Sequence, residues 1–94
     1  MKVAWTPLAL EDLDSAYEYI AAENLTAADA IIERIRSAVN ALRAHPDLGR
    51  KGRVEGTREL VISGTPFVIP YRVNKNRVEI LALIHGARRW PESF

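Results

Sequence analysis

The chain has 94 residues, of which 48% are hydrophobic and 27% are charged. These values are typical of one small folded domain and exclude a disordered or low-complexity chain. The net charge of +1 conceals two halves of opposite sign, because residues 1–33 contain one base and seven acids whereas residues 34–94 contain twelve bases and five acids. A basic half of this kind indicates an anionic or macromolecular partner.

The composition also excludes several kinds of site and location. No cysteine is present, so the chain has no disulfide framework, no thiol nucleophile and no zinc site with thiolate ligands. No apolar run approaches the roughly 20 residues of a membrane-spanning helix. The N-terminus lacks the charged start and apolar core of a signal peptide. We therefore expect a soluble, cytoplasmic protein with one domain over residues 1–94.

The first half of the chain predicts a short strand over residues 2–5 and then a helix. Thr6 followed by Pro7 is typical of a helix start, because the hydroxyl accepts from an early amide and proline is tolerated at the first helical position. Apolar residues at three- and four-residue spacing continue an amphipathic helix over residues 7–22. Asn24 is expected to end this helix in the left-handed conformation.

A second helix is predicted to follow after a short link. Thr26 opens a sequence that resembles a capping box, with Asp29 in place of the usual glutamate or glutamine. This helix should end near His45, because Pro46 disfavours helical geometry in the residue before it. The short link predicts that the two helices form an antiparallel hairpin.

A long loop and three strands are predicted for the second half. Residues 46–56 contain three glycines and three bases, and surface loops of this length are usually functional or mobile. Strand-like segments follow at residues 58–62, 65–73 and 77–85, and an antiparallel meander connects them most simply. Pro70 removes a ladder donor, so we expect an edge or a bulge there, with its nitrogen facing away from the ladder.

The chain has only two histidines, forty residues apart. His45 is interpreted as structural, because a cation there would interact well with the end of a helix. His85 has two interpretations: it is an acid or base acting on a phosphodiester beside the guanidiniums of Arg88 and Arg89, or it closes the sheet with a hydrogen bond. No metal-ligand spacing and no phosphate-binding glycine loop is present, so we expect no metal and no cofactor.

The basic residues give the strongest physical signal in the sequence. With the aromatic residues Trp90 and Phe94 exposed beside them, they would suit a nucleic acid or a large acidic partner. One alternative is scattered solubilising charge. Another is that Arg58 and Arg72 are internal and paired with Glu55, Glu59 or Glu79. The basic set consists of Arg50, Lys51, Arg53, Arg58, Arg72, Arg77, Arg88 and Arg89.

The order of these motifs resembles the RelE/ParE family of toxins from bacterial type II toxin–antitoxin modules. The motifs are a strand, an acidic helical hairpin, His-Pro-x-Leu-Gly-Arg, Gly-Thr-Arg-Glu-Leu-Val, Pro-Tyr-Arg-Val and Ile-His-Gly-Ala-Arg-Arg-Trp-Pro. The resemblance covers essentially the whole chain. It implies an α+β fold with an N-terminal strand and an antiparallel helical hairpin packed on a mainly antiparallel four-stranded sheet. It also implies a cognate antitoxin that folds as it wraps the toxin.

Members of this family differ in their targets. The ribosome-dependent ribonucleases cut messenger RNA in the ribosomal A site, whereas the ParE branch inhibits DNA gyrase. The cleaving members carry lysine or arginine on the second strand and an arginine on the third, three residues before its tyrosine. When the family pattern is aligned on Tyr71, the corresponding positions hold Glu59, Val61 and Val68. A carboxylate and two valines cannot hold a phosphodiester.

The tail matches the ribonucleases only in part. Arg88 matches the basic residue that the family carries in its tail, and His85 matches the histidine of a second ribonuclease subgroup. The tyrosine that follows this histidine in the subgroup is Gly86 here. These departures and the low net charge favour the ParE branch, because binding in a ribosomal RNA cleft rewards strong basicity.

Three functions therefore stand as hypotheses. The first is a toxin that binds DNA gyrase through Arg88, Arg89, Trp90 and the tail. The second is a ribosome-dependent mRNA endoribonuclease in which His85 is the acid or base and Arg88, Arg72 or Arg53 stabilises the phosphate. The third is a protein-interaction module without toxicity, whose helical hairpin binds a partner.

A cognate antitoxin is expected under both toxin hypotheses. We expect an apolar segment of it to lie in a groove between the sheet and the helical hairpin, with its acidic residues meeting Arg53, Arg58 or Arg88. The candidate residues for binding the target or the antitoxin are Arg53, Arg58, Arg72, Arg88, Arg89 and Trp90.

Overall fold

The computed structural model describes residues 1–94 as two helices packed on one face of a six-stranded sheet. In chain order the elements are β1 (Lys2–Trp5), α1 (Pro7–Ala21), α2 (Leu25–Ala41), β2 (Arg50–Lys51), β3 (Arg58–Val61), β4 (Phe67–Asn74), β5 (Arg77–Ile80) and β6 (Ile84–His85). The α+β class and the helical hairpin on a mainly antiparallel sheet are confirmed. The predicted number of four strands is wrong, because two residues of the long loop pair with β3 and the last predicted strand is divided into β5 and β6.

The start of α1 follows the local sequence signals. The Thr6 hydroxyl accepts a hydrogen bond from the Ala9 amide at 3.2 Å, and Pro7 is the first helical residue. The same hydroxyl donates to the carbonyl oxygen of Ile80 at 2.8 Å, so the helix start is also tied to the end of β5. A local cap therefore fixes the position of α1 relative to the sheet.

The expectation for Asn24 is wrong. Its φ angle is −154°, which is extended, and its side-chain oxygen accepts from the Ala27 amide at 3.0 Å. Asn24 is therefore the N-cap of α2 rather than the left-handed end of α1, and α2 begins at Leu25, before the predicted capping box. The regular helix ends at Ala41, and the His45 amide donates to the Ala41 carbonyl at 3.0 Å in the turn that follows.

The strands lie in the order β1-β5-β4-β3-β2, with β6 paired to β4 beyond the end of β5. All neighbouring pairs are antiparallel except β1 with β5, which is parallel. Parallel strands need a long crossover connection. Most of the chain, including the helical hairpin, separates β1 from β5, so this requirement is met.

Neither helix has the length and apolar character needed to cross a membrane.

Pro70 lies in the central strand β4, opposite Glu59 of β3, and not at the sheet edge. Its carbonyl accepts from the Leu81 amide at 3.0 Å. The nitrogen and the carbonyl of one strand residue point to the same side. The Pro70 nitrogen therefore faces residues 81–83, where the chain leaves the ladder between β5 and β6. The sheet tolerates proline here because the missing N–H would face the place where the ladder is interrupted between β5 and β6.

The hydrophobic core lies between the helices and one face of the sheet. Alternation along β4 places Ile69 and Tyr71 in this core and turns Arg72 to the opposite side. The side of the sheet that points away from the helices is called the open face below; register places Glu59 and Glu79 on it as well. The buried core residues are Ala9, Ile35, Val39, Leu42, Leu60, Ile62, Ile69, Tyr71, Val78, Ile80 and Leu83.

Candidate functional site

The loop over residues 46–56 is tied to the core by one tyrosine. The Tyr71 hydroxyl accepts from the Gly49 amide and donates to the Pro46 carbonyl, each at 2.8 Å. Burial raises the pKa of Tyr71 above its usual value, so the hydroxyl keeps its proton and can donate. Arg58 strengthens the attachment by donating to the Gly49 carbonyl at 2.8 Å. The loop is therefore anchored at its start, and the basic residues that follow Gly49 are held against the open face.

A single carboxylate organises these basic residues. The Glu59 side chain is 2% exposed and accepts five N–H groups at 2.8–3.2 Å. Arg50 donates through Nε and Nη2, and Arg53 donates through Nε, Nη2 and its backbone amide. Burial alone raises the pKa of Glu59, but the hydrogen bonds from Arg53 and Arg50 outweigh it and lower the pKa to about 2. Glu59 is therefore ionised throughout the physiological pH range.

The C-terminal tail joins this group through Trp90. The guanidinium carbon of Arg53 lies 3.7 Å from the centroid of the Trp90 ring, which is a cation–π contact. The indole Nε1 is buried and has no hydrogen-bond partner, so the expectation of an exposed Trp90 is wrong. Phe94 lies near the end of the tail and is exposed, as expected. Glu59, Arg50, Arg53 and Trp90 are called the Glu59 cluster below.

A second ion-pair group lies on the open face. Arg72 Nε and Arg77 Nη2 bond to the two carboxylate oxygens of Glu79 at 2.7 and 2.9 Å. The hydrogen bond from Arg72, supported by that from Arg77, holds the pKa of Glu79 below its usual value against the opposing effect of burial. The expected pairing of Arg72 with a glutamate is confirmed. The same expectation for Arg58 is wrong, because its guanidinium donates to loop carbonyls instead.

A groove of about 620 Å³ lies on the helix side, between α1 and the ends of β4 and β6, and is called the α1 groove below. Its apolar lining comes from Ala16, Ile20, Ile31, Pro66, Phe67 and Leu83. Its polar lining comes from Asp12, Ser15, Tyr19, His85 and Arg88. Apolar walls with a few polar side chains are typical of a site that receives an apolar segment and orients it.

The surroundings of His85 bear directly on its two interpretations. Its Nδ1 accepts from the Ala87 amide at 3.2 Å, and its ring lies edge-on to Phe67 with the centroids 6.1 Å apart. An accepting Nδ1 places the proton of the neutral ring on Nε2. The His85 side chain therefore accepts a hydrogen bond within the turn after β6 and does not close the sheet, while the ring still lines the α1 groove beside Arg88.

The residues named for the ribonuclease hypothesis are divided between the two sides of the sheet. His85 pairs with Phe67, whose side chain packs on the core, and therefore lies on the helix side. Arg72 lies on the open face, five residues further along β4, which corresponds to about 16 Å at 3.3 Å per residue. Arg53 lies on the open face with Glu59. The structure thus brings His85 and Arg88 together but places the other two arginines elsewhere.

Two organising residues were missed from the sequence. From the sequence alone, Glu59 is only a departure from the ribonuclease pattern or one possible ion-pair partner, and Tyr71 is only an alignment point and a member of an apolar face. The available signal is an acid at the start of a strand whose following residues are apolar, one residue after Arg58 and close to an arginine-rich loop. No three His, Asp or Glu side chains lie together in a metal-binding arrangement. Arg89 is exposed and makes no side-chain hydrogen bond or ion pair.

Sequence comparisons identify relatives that match almost the whole chain. The family model for the ParE toxin of the type II toxin–antitoxin system parDE matches residues 3–90. Y4kP of Sinorhizobium fredii strain NGR234 is 42% identical over 91 residues, which cover 97% of this chain and 94% of that protein. The toxin RelE2 of Caulobacter vibrioides is 36% identical over 87 residues, which cover 93% of this chain and 97% of that one.

Solved structures show the same fold. The match to a chromosomal ParDE toxin–antitoxin system of P. aeruginosa has a TM-score of 0.83 at 30% identity and covers 90% of this chain and 95% of that one. The YoeB dimer of Staphylococcus aureus matches with a TM-score of 0.58 at 17% identity over 87% of this chain and 92% of that one, which shows the fold alone. Because the family model and a 42% identical relative both extend over nearly the full length, the chain belongs to the ParE toxin family of type II toxin–antitoxin systems.

Proposed function

We propose that this toxin inhibits growth by binding DNA gyrase, without cutting RNA, and that a cognate antitoxin neutralises it. The observation that carries the proposal is that the arginines of the open face are paired with glutamates of the chain itself. Each of the two glutamates on this face is held by two of them, through contacts of 2.7–3.0 Å. The ribonuclease alternative would need such cations around a substrate phosphate.

Cleavage of a phosphodiester requires a proton-transfer group and stabilisation of developing negative charge at the same phosphate. His85 has only Arg88 beside it in the α1 groove, while Arg53 is bound to Glu59 and Arg72 to Glu79. A binding function has no such requirement. It needs an exposed surface with charge and aromatic area, and the exposed Arg89 and Phe94 of the tail support such a role.

The proposal is tested with purified toxin in a gyrase supercoiling assay and in a ribosome-bound mRNA cleavage assay. We expect supercoiling to be blocked and the message to remain intact. Arg89→Glu should raise the concentration for half-inhibition at least tenfold, because it reverses a charge on the proposed contact surface. Arg36→Glu is the matched control, since Arg36 is exposed on α2, away from the tail.

The ribonuclease alternative keeps one supporting observation, namely that His85 and Arg88 line the same groove. If the wild-type toxin cleaves the message and both His85→Ala and Arg88→Ala lose this cleavage, the gyrase proposal is overturned and the ribonuclease alternative is favoured. Expression of the toxin without its neighbouring gene product tests both toxin functions together. Normal growth under that condition would leave only the interaction-module alternative.

We propose that the antitoxin places an apolar segment in the α1 groove, with an acidic residue against Arg88. Of the three arginines expected to meet the antitoxin, Arg53 and Arg58 are occupied by contacts within the toxin, whereas Arg88 makes no side-chain hydrogen bond or ion pair. The apolar lining supplies the area that a helix or extended segment would bury. The groove therefore offers both parts of the contact at one place.

A bulky side chain in the groove tests this placement. Ser15 is exposed and lines the groove, so Ser15→Trp should weaken antitoxin binding at least a hundredfold in calorimetric titration of toxin with purified antitoxin. Ser37→Trp is the matched control, since Ser37 is exposed on α2 outside this groove. Equal affinities of the two variants would contradict the placement.

A further inference from the structure

The Glu59 cluster has the donor arrangement of an anion-binding site. Its five N–H groups come from two guanidiniums and one loop amide and meet two oxygen atoms at 2.8–3.2 Å. Paired guanidinium N–H groups match the oxygens of a phosphate as well as those of a carboxylate. The carboxylate that occupies this site belongs to the chain itself.

We propose that Arg50 and Arg53 form a phosphate-binding cradle that Glu59 keeps filled, so that Glu59 excludes nucleic-acid phosphates from the open face of the sheet. The inference goes beyond gyrase binding, because it assigns a ligand class to a site and an excluding role to one residue. It predicts that neutralising Glu59 creates a site that the wild-type chain lacks.

Exposure of the two arginines makes the cradle accessible from solvent. The side chains of Arg50 and Arg53 are 56% and 45% exposed, whereas that of Glu59 is 2% exposed. The carboxylate therefore lies at the base of the cradle while the guanidiniums face outward. A phosphate that approaches the wild-type cradle meets a fixed negative charge and donors that are already bonded. Without that charge, two cations and a loop amide are left without their acceptor, which favours an incoming anion.

Trp90 adds a feature that suits a nucleotide in particular. Its ring lies against the Arg53 guanidinium at 3.7 Å and reaches the cradle from the C-terminal tail. Aromatic rings beside cationic groups are the usual surfaces on which single-stranded nucleic acids stack their bases. The Trp90 ring is half-buried and one of its faces is covered by Arg53, so the cradle has cationic donors for the phosphate and only the remaining exposed part of this ring beside them for a base.

A purely structural role for Glu59 makes a different prediction. A carboxylate that only holds the loop to the sheet would lower stability when removed, and it would create no affinity for any ligand. Gain of phosphate binding therefore separates the two roles. Glu59→Gln keeps the side-chain volume, and Glu59→Ala leaves space for phosphate oxygens. Glu55→Gln is the matched control, because Glu55 is exposed, unpaired and four residues earlier in the same region.

The first measurement is thermal unfolding in chloride and in 50 mM phosphate at equal ionic strength. A phosphate site with a Kd of about 1 mM should raise the Tm of Glu59→Ala by about 10–20 °C, since a ligand that binds only the folded state stabilises it. Wild type and Glu55→Gln should show no such shift. If Glu59→Ala is largely unfolded in chloride, phosphate should restore its folded circular dichroism signal. Failure of phosphate to do so would overturn the proposal.

The second measurement is fluorescence anisotropy with a labelled single-stranded RNA decamer. Glu59→Gln should bind the RNA at least tenfold more tightly than Glu55→Gln. The slope of its log affinity against log salt concentration should be steeper by the amount expected for about one additional phosphate contact. Adding Arg53→Gln to Glu59→Gln should remove the gain. The assignment would be overturned if the double variant kept the increased RNA affinity, or if Glu59→Gln and Glu55→Gln bound RNA equally. A response to phosphate without RNA binding would also overturn it. No gyrase enters these measurements, so their outcome is separate from that of the supercoiling assay.

Discussion

Replacing Tyr71 by phenylalanine removes one oxygen atom and with it the attachment of the long loop. The Tyr71 hydroxyl accepts from the Gly49 amide and donates to the Pro46 carbonyl, each at 2.8 Å, and the tyrosine is 0% exposed. The phenylalanine ring fills the same space, so packing is preserved. The variant therefore isolates the two hydrogen bonds.

The expected loss of stability follows from the two groups left without partners. A buried backbone group that loses its partner costs about 1–3 kcal/mol, and part of this is recovered because phenylalanine has no hydroxyl to desolvate, so we expect a loss of about 2–4 kcal/mol in the free energy of unfolding. A chain of this length has a total stability of roughly 5–14 kcal/mol. The Tm should therefore fall by about 10–20 °C.

Urea unfolding monitored by circular dichroism and a thermal melt measure this loss. Tyr19→Phe is the matched control, because Tyr19 is 83% exposed and should change stability by less than about 0.5 kcal/mol. Amide hydrogen exchange should also accelerate at Gly49, whose N–H loses its acceptor. If Tyr71→Phe unfolds at the same urea concentration as Tyr19→Phe, the hydroxyl does not anchor the loop.

Three further predictions follow from other contacts. The pKa of Glu59 is about 2 in the folded chain and near 4.5 in the unfolded chain, so about 3 kcal/mol of stability is present above pH 4.5 and is lost as the pH falls toward 2. Urea titrations between pH 6 and 2.5 should show that Glu59→Gln removes this part of the pH dependence, and parallel curves for the two proteins would contradict it. Gly49→Ala should lower stability by about 1–3 kcal/mol, because the added Cβ would lie 2.6 Å from Cε1 of Tyr71; an unchanged urea midpoint would show that the loop moves aside. Asn24→Ala should cost about 1 kcal/mol by removing the N-cap hydrogen bond to Ala27, and equal melting temperatures would rule out that role.

Features that depend on neighbouring residues were predictable from the sequence. Thr6 and Pro7 set the start of α1 because a cap and its acceptor lie within one turn. The alternation along residues 67–71 identified the buried face of β4, because successive side chains of a strand point to opposite sides. The chain order of the motifs was sufficient for the family and hence for the fold. Asn24 shows the limit of this reasoning, since the same residue type ends one helix or caps the next and only its φ angle distinguishes the two.

The candidate site depended on contacts between residues that are distant in sequence. Glu59 gathers its arginines only because β2 pairs with β3 in the register that places Arg50 opposite it. Composition and spacing cannot tell whether an arginine faces solvent, a phosphate or a carboxylate of its own chain. The last predicted strand is interrupted between β5 and β6, and this interruption places His85 on the helix side, away from Arg72. The basic surplus was visible from charge counting alone, but strand register and loop anchoring decided which of those charges remain available to a partner.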